Sequence, residues 1–186
     1  MPKRSQAIFG ITGTPGTGKK SVAPAVARAM RSPFISLNEL AKSEGALRGE
    51  VVDTVALRTA LAKRPRVPAV VYGHLLPYSI DRSMVSRVAV LRCEPSVLKQ
   101  RLASRGYPEE KVLDNVRAEL IGLVSADALK AFGKKSFEVD TTDSTPAATA
   151  AEIVSVAAGK RKGKGPVDWM PNYDSGPKLR SLLPSP

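Results

Sequence analysis

The chain has 186 residues, 42% of them hydrophobic, with 29 lysines and arginines against 17 acids and a formal net charge of +12 at pH 7. That length holds one sizeable core and a tail. The composition excludes a membrane-spanning apolar run, and the single cysteine, Cys93, excludes an internal disulfide and a cysteine zinc cluster. The positive balance favours a polyanionic partner, RNA first, although a merely solubilising surface has the same sign.

The opening MPKRSQ is basic and lacks the apolar stretch expected of a secretory leader, and the single Cys93 fits a reducing, intracellular setting. Ala7 to Thr12 is a short apolar run that reads as a buried strand. Gly13-Thr14-Pro15-Gly16-Thr17-Gly18-Lys19 then has the phosphate-loop spacing, and a helical pattern follows at once. Glycines at Gly13, Gly16 and Gly18 let backbone N–H groups close around an anion, and the helix start adds unpaired donors. Lys19 would reach the outer phosphates. The position after it normally carries Ser or Thr to bind the magnesium ion of the nucleotide. Here it is Lys20, and the hydroxyl comes one place later, at Ser21. A glycine-rich turn that binds nothing is the alternative, which the strand–loop–helix context argues against.

Val22, Val26, Ala29 and Met30 share one face of the next helix, in which Pro24 removes a donor. Phe34 to Leu37 reads as a second strand, with Asn38 capping a short helix, Glu39 to Ser43. Val51-Val52-Asp53 is a brief extended piece before a helix through Leu57 and Leu61. Val67 to Tyr72 is a third strand, and Gly73-His74-Leu75-Leu76-Pro77 is expected to be loop. Val88 to Leu91 is a fourth strand, and Pro95 starts a helix carrying Val97, Leu98, Arg101 and Leu102. After Gly106-Tyr107-Pro108, one longer helix is expected to bury Val112, Val116, Leu120, Leu123 and Val124. Phe137 to Asp140 is a fifth strand, and Ala147 to Ala158 a last helix.

Strands alternating with helices predict an α/β fold, a mainly parallel five-stranded sheet with helices on both faces. Ligands then bind outside the carboxyl ends of the strands, where the phosphate loop, Gly73-His74 and the turn after Asp140 all fall. From Gly159 the composition turns basic and glycine-rich, GKRKGKG, and then proline-punctuated, where no regular core element is expected. A disordered tail is one reading. The other is a basic arm along a phosphate backbone, with Val167, Trp169 and Met170 docking on a surface or partner.

The opening ITGTPGTGK, the Gly73-His74 pair and LRCEPSVLKQRLASRGYPEEKVLDNVRAEL carry a resemblance, which VDWMPNYD extends into the tail. Together they resemble the small adenylate-kinase-like P-loop family of the eukaryotic coilin-interacting nuclear adenylate kinase and its archaeal relatives. The specific elements are the RGY stretch, Asn115 with Glu119, and the VDW tail. The resemblance implies a nucleoside monophosphate kinase fold that transfers a phosphoryl group between ATP and AMP (or another monophosphate), with ATPase activity. It also implies small-ribosomal-subunit and rRNA maturation through a ribosomal protein of the subunit's platform, with rRNA contacted by the basic tail. The setting would be cytoplasmic for an archaeal protein and nuclear for a eukaryotic one.

The implied division is a kinase-like domain over residues 1–158 and a tail over 159–186. Carried over, ATP is held by Gly13, Gly16, Thr17, Gly18, Lys19, Lys20, Ser21 and Arg105, with magnesium arriving on the nucleotide and served by Ser21. The monophosphate segment runs from Ser36 to Asp53, and the lid from about Ser104 to Asp114. Lys19 and His74 are the candidate catalytic residues. His74 is otherwise a loop histidine ending a strand, and Arg82, Arg87 and Arg101 are either phosphate clamps or surface charges.

Two positions depart from the family. Tyr72 stands where an Asp precedes Gly-His, and Lys20 where a hydroxyl follows the loop lysine. Both missing groups would hold magnesium, one directly and one through its water shell. Either Ser21 shifts to serve the metal and turnover survives, or Lys20 supplies the charge and the protein binds nucleotide with little turnover.

Overall fold

A computed structural model describes residues 8–49, 51–63, 68–163, 165–174 and 176–183. In chain order the elements are β1 (Ile8–Gly13), α1 (Lys19–Ala29), β2 (Phe34–Ser36), α2 (Leu37–Ser43), β3 (Leu47–Arg48), β4 (Val51–Val52), α3 (Thr54–Lys63), β5 (Val70–Tyr72) and α4 (Leu76–Ser79). There follow β6 (Val85–Arg92), α5 (Pro95–Ala103), α6 (Glu109–Leu120), α7 (Leu123–Phe132), β7 (Ser136–Asp140), α8 (Pro146–Ala157) and α9 (Gly176–Leu182). The main sheet has the order β2-β5-β1-β6-β7 with every pairing parallel, and β3–β4 form a separate antiparallel hairpin.

Period-two alternation sends neighbouring residues of each strand into different cores. Val70 and Tyr72 of β5, with Ala89 and Leu91 of β6, pack under α1 and α8. Val71, Val88 and Val90 face the other way, toward α2, α3, α4 and α7. Because both faces are covered, these strands read as unbroken apolar runs. A third cluster joins α5 and α6 through Leu98, Leu102, Val112, Val116 and Leu120 to Cys93.

The expected fold class holds, and several boundaries move. Ala7 and Val67 lie outside the described residues. Leu37 begins α2 instead of ending β2, because the cap is Ser36, whose Oγ accepts from the Glu39 N–H at 3.3 Å. Asn38 is therefore inside the helix. Leu76-Pro77 is helix, not loop, since proline's fixed φ suits a first turn. Strand β6 extends back to Val85, which pairs with Ile8 of β1, and on to Arg92, which pairs with Asp140 of β7.

The single long helix predicted after Pro108 is two helices. Gly122, at φ 67°, turns the chain between α6 and α7, and Leu123 is left 47% exposed. In α1 the buried face is Val22, Ala23, Val26 and Ala27, while Ala29 is exposed. The helix runs through Pro24 without interruption.

The region after Gly159 contains regular structure, against expectation. A 3-10 turn at Met170–Tyr173 and α9 follow an irregular stretch. Trp169 and Leu182 enter the third cluster at 8% and 2% exposure, Val167 packs beside them, and Met170 stays exposed. The docking surface for Trp169 is thus the protein's own α5–α6 layer. Large apolar groups spaced along a polar segment recover enough buried area to order it.

Candidate functional site

The glycine loop leaves β1 at the carboxyl edge of the sheet. Gly13, Gly16 and Gly18 have φ of 142°, 95° and 99°, conformations that a side chain resists. Space adds to that demand. A Cβ on Gly16 would stand 2.6 Å from Leu98 Cδ1, and one on Gly13 would stand 2.4 Å from the Leu91 carbonyl oxygen.

Lys19 opens α1 and folds back over the loop, its Nζ donating to the carbonyls of Gly13 at 2.6 Å and Thr14 at 2.8 Å. Thr17 is buried and braces the loop from within, its hydroxyl donating to the Thr14 carbonyl at 2.9 Å. The Thr141 hydroxyl, just past β7, donates to the carbonyls of Thr17 and Arg92 at 3.0 and 2.8 Å. Burial pushes the Lys19 ammonium down to about 7, opposed by the Glu119 carboxylate and reinforced by Arg105. His74 is also lowered from its ordinary value, first by burial and then by the Lys19 charge.

A cavity of about 580 Å³ opens beside the loop. Gly16, Gly18, Lys19, Lys20, Ser21, Ser36, Tyr72, His74 and Arg105 all border it, so residues drawn from four separate stretches meet. A smaller cavity of about 180 Å³ lies across the loop, between Gly16–Gly18, Ser21 and Val22 on one side and Arg101, Arg105, Thr141 and the start of α8 on the other. Thr17 faces this second space, while Gly13 is buried behind the loop. The three strand ends singled out in the sequence therefore converge, two on one side of the loop and one on the other.

Asp53 does not join them. Its Oδ1 accepts from the N–H groups of Val55 and Ala56 at 3.0 and 2.9 Å, as a cap of α3. Of the arginines considered as clamps, Arg87 lies against the Phe137 ring at 5.3 Å, and the Arg82 guanidinium stands beside Gly133. Arg101 borders the smaller cavity, with Nη2 holding the Thr141 and Thr142 carbonyls at 2.9 and 2.8 Å.

Other residues at the cavity fall within the expected monophosphate segment and lid without having been singled out there as ligands. Asn38, Glu39 and Lys42 reach it from α2, and Tyr107 from the segment before α6. Their signal was faint: Asn38 and Lys42 stand four apart on one helical face after Ser36. Asn115 lines it from α6, and Glu119, one turn on, lies beneath the loop.

Glu119 is 1% exposed and tied to four partners. The Thr14 hydroxyl donates to Oε2 at 2.5 Å, while Oε1 accepts from Arg92 Nε at 2.8 Å, the Cys93 N–H at 3.0 Å and Trp169 Nε1 at 3.2 Å. Arg92 is shared with Glu138 at 2.9 Å and with the Val167 carbonyl at 2.9 Å. The Tyr173 hydroxyl donates to Glu94, which caps α5. One polar network thus joins the phosphate loop, the end of β6, α6 and the carboxyl-terminal segment.

Among the described residues no group of three or more His, Cys, Asp or Glu is placed to hold a metal ion, and no helix is long and apolar enough to cross a membrane. Among the described residues that line the cavity there is one carboxylate, Glu39, against Lys19, Lys20, Lys42 and Arg105. That donor set suits a polyanion.

Comparison with known proteins agrees. The AAA-domain family model matches residues 10–122. A Natronomonas pharaonis protein named "Putative adenylate kinase" is 38% identical over 168 residues, covering 86% of this chain and 95% of the relative. Proteins of the same name from Pyrococcus abyssi and Methanosarcina acetivorans are 34% and 37% identical, covering 90% and 88% of this chain and 93% and 97% of themselves. Among solved structures, shikimate kinase from Acinetobacter baumannii superposes with a TM-score of 0.58 at 17% identity, covering 84% of this chain and 95% of that one. A gluconokinase from Sinorhizobium meliloti gives 0.55 at 21%, covering 85% and 95%. Those two likenesses speak for the fold. With the loop, the parallel sheet and relatives matched over nearly their whole length, the chain belongs to the adenylate-kinase-like family of P-loop kinases.

Proposed function

We propose that this protein is an ATP:AMP phosphotransferase with accompanying ATPase activity, acting in small-ribosomal-subunit and rRNA maturation. The observation that carries the catalytic part is the meeting of Lys19, His74, Ser36 and Arg105 around one cavity. In this reading the triphosphate lies along Gly13–Ser21 with its base toward the smaller cavity. The monophosphate enters the larger one against Ser36 and α2. Lys19 neutralises the transferred phosphoryl group, and His74, kept neutral by burial, orients the attacking oxygen. Residues 104–114 close over the pair and exclude water.

The relatives' names support adenylate as the acceptor, and their archaeal sources favour a cytoplasmic over a nuclear setting. A coupled assay of ADP formation from ATP and AMP tests the reaction. The expected result is AMP-dependent turnover well above background hydrolysis; background-rate turnover alongside tight ATP binding would overturn it. That second outcome is what a nucleotide-gated assembly factor with weak phosphotransfer would give, a reading favoured by Lys20 and Tyr72 at the cavity wall.

The ribosomal part rests on the net charge of +12 and on exposed Lys160, Arg161 and Lys162, next to the segment docked through Trp169. Replacing these three by Gln should weaken binding to rRNA or to a platform ribosomal protein–rRNA complex. It should also flatten the salt dependence, by roughly 0.9 in log–log slope for each phosphate no longer neutralised. An unaltered slope would place the contact elsewhere. Neutralisation is a better test than truncation, because deleting from Gly159 would also strip Trp169 and Leu182 from the core.

A further inference from the structure

Magnesium carried by a nucleotide needs oxygen donors at two places in a phosphate-loop kinase: a hydroxyl after the loop lysine and a carboxylate at a neighbouring strand end. Here those places hold Lys20, directly after Lys19, and Tyr72, the last residue of β5. A protonated amine offers no lone pair and repels a cation, and a neutral phenol is a poor ligand for so hard an ion. Tyr72 is 8% exposed with its ring against Phe34, held by packing in the core. Of the remaining oxygen donors, Ser21 lies one residue further round α1, and Glu39 projects from α2 across the cavity. Among the described residues, those at the cavity do not fit a magnesium ion held by the protein.

They do fit a bare polyanion. Lys19, Lys20, Lys42 and Arg105 line the cavity, and Glu39 is the one carboxylate among the described residues that line it. Lys20 is exposed and makes no hydrogen bond or ion pair among the described residues, so its ammonium is available to a ligand. An uncomplexed triphosphate presents more negative charge to these cations than a magnesium complex does. A divalent ion beside Lys20 would add repulsion inside an already positive wall.

We propose that this site takes its nucleoside triphosphate as the metal-free anion, with the Lys20 ammonium balancing the charge that magnesium balances elsewhere in the family. The inference rests on the nucleotide-site reading above and goes beyond it in naming the ionic form of the ligand. Phosphoryl-group charge is then met by side chains, chiefly Lys19, Lys20 and Arg105.

Isothermal titration of the full chain with ATP, once in excess magnesium and once in EDTA, decides the matter. The expected affinity in EDTA is within about threefold of the magnesium value, or tighter. Weakening beyond that on chelation would overturn the inference while leaving the nucleotide site standing. Absence of binding in both buffers would overturn the site reading and this inference together. A second arm uses K20T, which changes an exposed side chain and should leave the fold intact. It should shift the preference toward the magnesium complex by about tenfold. An unmoved preference would remove Lys20 from the role.

Discussion

Lys19→Ala should weaken ATP binding by about a hundredfold or more, the loss expected when a charge-assisted bond to phosphate disappears from an enclosed site. The ammonium now bonds to the Gly13 and Thr14 carbonyls at 2.6 and 2.8 Å, so it is held over the loop before any ligand arrives. Its charge is also conditional. Burial pushes it down to about 7, with Glu119 pulling upward and Arg105 pushing further down. A triphosphate restores the charged form, so binding above that pH must take up a proton. Affinity should fall with rising pH by up to about tenfold per unit. Titrations about one pH unit above 7, in buffers of different ionisation enthalpy, measure that uptake directly.

The same shift has a sign for stability. A base whose folded value lies below its ordinary 10.5 leaves the unfolded chain binding more protons between about 7 and 10.5. The penalty of the buried ammonium is complete below about 7 and is relieved as pH rises through that window. Lys19→Ala should remove this stretch of pH-dependence from the unfolding curve. Unchanged ATP affinity in the variant would displace the site from this loop altogether.

Glu119→Ala should destabilise the fold by about 3–5 kcal/mol, because it removes one partner of a buried ion pair and leaves Arg92 with only the more exposed Glu138. At about 2–4 °C per kcal/mol for a chain of this size, the melting temperature should fall by roughly 10 °C. The carboxylate is 1% exposed, and Arg92 Nε, the Cys93 N–H, Trp169 Nε1 and the Thr14 hydroxyl would all lose an acceptor together. Glu119→Gln keeps the volume and one acceptor oxygen and should fall between the two. Thermal unfolding followed by tryptophan fluorescence is the measurement, since Trp169 is the only tryptophan in the chain and touches the altered group. A loss below about 1 kcal/mol would mean that Glu138 alone suffices for Arg92.

These two residues differ in how visible they were. Lys19 was legible because a phosphate loop is a local pattern: a strand, glycines at set spacing and a helix start, all within adjacent residues. Glu119 was legible only as part of a resemblance. Its partners Thr14, Trp169, Arg92 and Cys93 lie 105, 50, 27 and 26 residues away, and no periodicity in the sequence links them. Asp53 shows the opposite difficulty. A helix-capping carboxylate and a ligand-binding one look alike in sequence, and only its bonds to Val55 and Ala56 separate them. Gly122 was a visible warning inside a helical pattern, and its positive φ turned one expected helix into two.

By itself the sequence determined the alternation of strands and helices, the anion-binding loop and the cationic balance. Each of these is set by side-chain type or by neighbours within a few residues. The tertiary structure alone decided which cations share a cavity, that Arg82 and Arg87 stand apart from it, and that Trp169 closes on the protein's own core. Those outcomes depend on how parallel crossovers bring distant strand ends together and on buried polar groups having to find partners wherever packing places them.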